Sequence, residues 1–229
     1  VVHSLRLKIQ KKIRTVDNID LNINNNFPDI KIFSGGSHHK IKVTTIYINI
    51  ENYQNLMQKL KEKDKLKFIN LYTESILKIL NYYQIDNFNF FGTEIYGFIN
   101  HYKNNNFEEG NLLTAAIEIN SFLSNFSFKI NYKIILSTGI DLLSIIEINK
   151  RKKAIALVNG TIYRARDIFE KTTKSNLIYL NELYEKNNSS WLEKIPRSPC
   201  SYPVKIDIEN LNEKVFELNC IFSDWKIKN

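Results

Sequence analysis

The sequence predicts an α+β domain built on an antiparallel sheet, and three observations carry that expectation. Residues 42–51, KVTTIYINIE, alternate apolar and β-branched side chains as a strand does, and a long helical periodicity over 52–84 follows. Residues 88–98 form a strand–turn–strand pattern pivoting on Gly92-Thr93. Residues 134–148 with 154–158 give a second hairpin, closed by the basic turn 149–153. An amphipathic helix over 112–126 lies between the hairpins, and a further helix is expected at 160–170. The order is therefore β-α-β-β-α-β-β-α, a ferredoxin-like core with helices on one face of the sheet.

Along the chain, residues 1–14 can form an amphipathic helix with Val2, Leu5, Ile9 and Ile13 on one stripe. Packing on its own domain or on a dimer mate explains that stripe more simply than a membrane surface does. Residues 15–40 are polar, Asn-rich and punctuated by Pro28 and Gly35-Gly36, so they read as a connection. His38 and His39 point opposite ways on an extended chain, with no third ligand nearby, and are expected to be surface residues rather than metal ligands. Glu51 stands at the entrance of the first helix, where it can cap favourably. Periodic patches at 56–60 and 66–80 flank the lysine-rich stretch 59–67, which is a solvated face or a break. The first hairpin is aromatic, with Phe88, Phe90, Phe91, Tyr96 and Phe98. Core packing accounts for most of these, and a base-stacking platform is the less economical reading. Glu108-Glu109 suit a helix start. Near the C-terminus, PVKIDIEN and KVFELNCIFSDWKI alternate around a turn at 211–213 and predict a terminal hairpin. The expected organisation is an N-terminal helix and connection (1–40), a core domain (41–186) and a C-terminal extension packed on it (187–229).

The 229 residues, 43% hydrophobic and 12% aromatic, suffice for a real core. The formal charge of +8 permits anionic ligands, yet the lysines are spread along the chain, which makes nucleic acid an unlikely partner. No apolar run approaches a membrane span, and residues 1–14 do not read as a signal peptide. Cys200 and Cys220 could pair only if the extension places them together; otherwise two thiols suit a reducing cytosol. A cytoplasmic protein is expected.

With these words in this order, the chain from about residue 28 onward resembles the class III nucleotidyl cyclase domain. Within it, the chain is most similar to the bacterial pyrimidine cyclases of Pycsar anti-phage defence. Gly35-Gly36 precede the first strand as in that group, and Tyr47-Ile48-Asn49-Ile50 looks like its Tyr-x-Asp-Leu word. Residues 92–98 look like Gly-Asp-x-Val-Met-Gly-Val-Phe, Gly139-Ile140-Asp141 match Gly-Ile-Asp, and Ser223-Asp224-Trp225 match the closing Ser-x-Trp. Trp191 and Trp225 also stand where those cyclases have tryptophans.

The resemblance implies two aspartates holding two divalent metals, one on the first strand and one in the first hairpin turn. Here those positions read Asn49 and Thr93. It also implies an asparagine toward the ribose and, a turn later, a cation toward the triphosphate. Aligned through Ala165, these fall on Tyr163 and Asp167, while Arg164 and Arg166 face about 100° to either side. The turn 51–55, with Glu51, Asn52 and Tyr53, and Gly92 are the positions left for a nucleotide.

Cyclisation depends on its metals to ionise a ribose hydroxyl and to neutralise the leaving group. Neutral Asn and Thr oxygens bind Mg²⁺ or Mn²⁺ far less strongly than carboxylates do. The expectation is a pseudoenzyme that keeps the fold and dimer surface, serves as a partner subunit or nucleotide sensor, and needs no cofactor. The alternative is an active cyclase, using Mg²⁺ or Mn²⁺, whose carboxylates have moved to Glu51, Glu94 or Asp141. A homodimer is expected in isolation, with an active cyclase subunit or an effector as cellular partner. Its arm is the second hairpin, through Ile145, Ile146, Ile155 and Leu157.

Overall fold

A computed structural model describes residues 22–23, 38–85, 87–100, 106–149, 152–158, 160–195 and 200–221. Its strands are β1 (Asn22–Ile23), β2 (His38–Ile50), β3 (Asn87–Phe91), β4 (Glu94–Asn100), β5 (Tyr132–Asn149), β6 (Lys152–Val158), β7 (Leu177–Asn181), β8 (Val204–Ile206) and β9 (Val215–Leu218). The helices are α1 (Tyr53–Lys59), α2 (Glu62–Tyr82), α3 (Asn106–Ser124), α4 (Thr161–Lys171) and α5 (Glu182–Leu192). The strands form one sheet in the order β3-β4-β2-β5-β7-β9-β8, with β1 beside β2 and β6 beside β5. The expected central strand is central: β2 lies antiparallel between β4 and β5.

Alternation along β2 divides the core. Ile46, Ile48 and Ile50 face a large apolar layer that holds Phe68, Tyr72, Ile76 and Leu80 of α2, much of α3, and Tyr184 and Leu192 of α5. Tyr47 faces the other way, into a smaller cluster with Ile135, Tyr179, Ala165 and Ile168. This is how a strand buried on both faces behaves when each face has its own cover.

The α+β fold expected from the sequence therefore stands, with four refinements. The sheet is mixed rather than purely antiparallel, because β5 and β7 run parallel, as do β1 and β2. One helix, α4, covers the face opposite the other long helices. The helical region 52–84 is two helices, because Leu60 and Lys61 adopt extended backbone between them. Finally, α3 is buried nearly all round over residues 110–123 rather than along one stripe, since α2 and α5 flank it above the sheet.

The C-terminal hairpin forms as β8 and β9 and continues the same sheet through β7. The boundary drawn at 186/187 falls inside α5. Trp191 lies across Gly110, where a methyl group built on the glycine would come within 3.2 Å of the indole. Cys200 and Cys220 form a disulfide across an isolated bridge, the pairing that the sequence allowed only if the extension placed them together. The arm hairpin is present as backbone: β5 and β6 pair Ile145 with Ile155 and Leu143 with Leu157, and residues 145–149 pair with β6 but not with β2. The side chains of Ile145, Ile146, Ile155 and Leu157 lie outside the described ones, as do the helix expected at 1–14, Gly35-Gly36 and residues 223–225.

Candidate functional site

Where β2 ends, the β3–β4 turn and the start of α1 enclose an open cavity of about 570 Å³. The turn needs Gly92, whose φ of 62° lies in the left-handed region that glycine occupies without strain. It sets Thr93 against β2. Thr93 Oγ1 donates to Asn49 Oδ1 at 3.0 Å, so the two positions where the resemblance placed metal carboxylates are hydrogen-bonded to each other. The same Asn49 oxygen accepts from the Ile50 N–H at 2.8 Å, and its Nδ2 donates to the Tyr47 hydroxyl at 3.2 Å. Burial pushes Tyr47 up to about 12, helped by the nearby Glu94 charge and opposed by the Asn49 hydrogen bond. Tyr47 is a neutral phenol at any physiological pH.

The proposed substitute carboxylates are engaged elsewhere. Glu94 lines the cavity, but its Oε1 accepts from Arg166 Nε and is ion-paired with the same guanidinium, which reaches down from α4. Glu51 does not cap α1. The N-cap is Asn52, in left-handed backbone with no side-chain cap, and Glu51 pairs instead with Lys133 at 2.7 Å and accepts from Ser175. The cause is positional: Lys133 sits opposite Asn49 on β5, buried, and the turn brings Glu51 over it.

Asp141 lies toward the far end of the β2–β5 ladder, across from Ile41. There it accepts from Thr161 N (2.9 Å) and Thr161 Oγ1 (3.2 Å) at the start of α4. Burial raises its carboxyl above the ordinary value, against the pull of those hydrogen bonds and of Arg164.

On α4, Tyr163 is largely exposed, and Asp167 pairs with Lys171 one turn on at 2.9 Å. Arg164 turns to Glu213 (3.4 Å) and to the Thr138 carbonyl (3.3 Å). The sequence reading passed over Tyr47, Lys133 and Glu213 as site residues and gave Arg166 no partner. Lys133 did leave a trace, a lone cation in the apolar run YKIILST.

These donors do not fit a resident divalent metal. Asn49 and Thr93 are neutral and satisfy one another, the adjacent carboxylate is held by arginine, and among the described residues no three His, Cys, Asp or Glu side chains converge.

No protein-family model matches the sequence, and no curated protein does. Solved structures do match. The adenylyl cyclase CyaB from P. aeruginosa superposes with a TM-score of 0.64 at 11% identity, over 82% of this chain and 98% of that one. The guanylyl cyclase Cya2 gives 0.63 at 11% identity, over 84% and 98%. A dimeric guanylyl cyclase domain of the RhoGC fusion protein from Blastocladiella emersonii gives 0.60 at 16% identity, over 80% and 97%. Identities this low speak to architecture alone, and the architecture is that of the class III nucleotidyl cyclase catalytic domain.

Proposed function

We propose that the protein is a cyclase-like pseudoenzyme, a partner subunit or nucleotide-binding sensor in cyclic-nucleotide anti-phage signalling of the Pycsar type. The Asn49–Thr93 hydrogen bond carries this reading. A neutral amide and a neutral hydroxyl, each using the other as partner, stand where the reaction needs two metal-bound carboxylates. Tyr163 and Asp167 support it from α4, since neither supplies an asparagine's amide or a cation for a triphosphate. Each missing transition-state donor costs about 3–4 kcal/mol.

The expected result is no cyclic nucleotide from any of the four nucleoside triphosphates with Mn²⁺, measured by liquid chromatography against a heat-killed control. The position of Glu94 at the cavity favours a second reading, an active cyclase with a relocated ligand. Turnover that disappears in Glu94→Gln would establish it in place of the first.

The partner role rests on the β5–β6 arm, whose outer part pairs with no other strand among the described residues. It implies a homodimer in isolation, which Ile146→Asp and Leu157→Asp should each convert to monomer in light scattering at low micromolar concentration. A wild type that runs as a monomer, or a dimer indifferent to both changes, would remove the subunit reading.

A further inference from the structure

We propose that the cavity between α1 and the β3–β4 turn takes an uncharged planar heterocycle, a nucleobase or nucleoside without phosphate, in preference to a nucleoside triphosphate. This rests on the reading above that the site performs no triphosphate chemistry, and it names the ligand class of that site.

The lining decides between the two ligands. Among the described residues Glu94 is the one charged side chain around the cavity, and its partner Arg166 is not among the lining residues. A triphosphate of roughly four negative charges would find no unpaired cation there among the described residues, since Arg166 behind Glu94 is already neutralised by that carboxylate. The helix at the mouth, α1, has seven residues and no acidic or capping side chain in its first turn, too short to serve as an anion site by itself.

What does line the cavity is amide and aromatic. Asn52, Gln54 and Asn55 contribute carboxamides for which no hydrogen bond to another described residue is found. Each carboxamide offers a donor pair and an acceptor side by side, the pattern that matches the edge of a base. Tyr53 and Phe91 add ring faces. Phe91 is 84% exposed at the turn, so its ring is accessible to a ligand in the cavity. A flat ring stacked there would be sequence-tolerant and free of any metal requirement. The volume of about 570 Å³ lies within the roughly 300–1,000 Å³ typical of small-molecule sites.

The experiment is calorimetric titration of the full chain with uridine, cytidine, adenosine and guanosine. Each is compared with its triphosphate, with and without Mg²⁺, and with glucose as a non-planar polar ring. The expected result is that at least one nucleoside binds about tenfold or more tighter than its triphosphate, unaffected by Mg²⁺, with glucose silent. Phe91→Ala and Gln54→Ala, both on exposed positions, should each weaken that binding about fivefold or more. Binding by no nucleoside, equal binding of glucose, or tighter binding of a triphosphate overturns the inference. A triphosphate that binds tightly without yielding product would leave the pseudoenzyme reading standing while this one falls. Product formation would remove both.

Discussion

Replacing Lys133 by methionine is expected to destabilise the protein by about 3–5 kcal/mol, the cost of breaking a buried ion pair from one side. The Lys133 side chain is only 3% exposed, and its ammonium has three protons to place. They go to the Phe169 carbonyl at 2.7 Å, the Thr172 carbonyl at 2.6 Å and the Glu51 carboxylate at 2.7 Å, with the Phe169 ring 4.9 Å away. The two carbonyls belong to the C-terminal end of α4, where a cation also complements the helix dipole.

Methionine fills the space but leaves those carbonyls without their donor and Glu51 with Ser175 as its remaining side-chain partner. Urea unfolding of Lys133→Met measures the loss. The double variant Lys133→Met/Glu51→Gln should recover part of it, because the stranded charge is gone. A single-variant loss below about 1 kcal/mol, the scale of an exposed pair, would show that water already reaches this ammonium.

The same contact shows where reading the sequence stops. The alternation of residues 42–51 gave β2, and the apolar hairpins gave β3 through β6, because local period reports which faces are buried. By contrast, LIYLN at 177–181 was not legible as β7. Four of its five residues are buried on both sides in a parallel pairing with β5, so no alternation survives. The helix after it was missed for the same reason, its cap Asn181 being hidden in a strand end, where it accepts from Tyr184 N at 3.0 Å.

At the site, the resemblance brought residues 49 and 93 to one place, and the structure joins them by a hydrogen bond. The partners of Glu51 and Glu94 could not be read, since Lys133 and Arg166 are distant in sequence and meet them only across the ladder and from α4. Glu51 beside a helix start reads locally as a cap, and a buried lysine one strand away outbids that preference.

Gly160→Ala is the second large effect, about 2–4 kcal/mol of lost stability, combining an overpacked contact with a displaced cap. Gly160 has an ordinary negative φ of −108°, so backbone freedom is not what requires glycine here. Space is: a methyl group built on it falls within the Asp141 carboxylate. That carboxylate cannot swing aside cheaply, because Asp141 is 1% exposed and holds both the N–H and the hydroxyl of Thr161, which in turn hydrogen-bonds Thr45 on β2. Alanine therefore pushes α4 away from β5 or expels Asp141 from the start of the helix.

Gly92→Ala makes the contrast. Its φ of 62° imposes roughly 1–2 kcal/mol of backbone strain, but a methyl group there meets nothing within 4 Å. In chemical denaturation Gly160→Ala should exceed Gly92→Ala. If the carboxylate is what the methyl group displaces, Asp141→Ala should add less to Gly160→Ala than it costs alone. Full additivity of the two changes would mean that alanine is accommodated by some other movement and that Asp141 keeps its hold on Thr161.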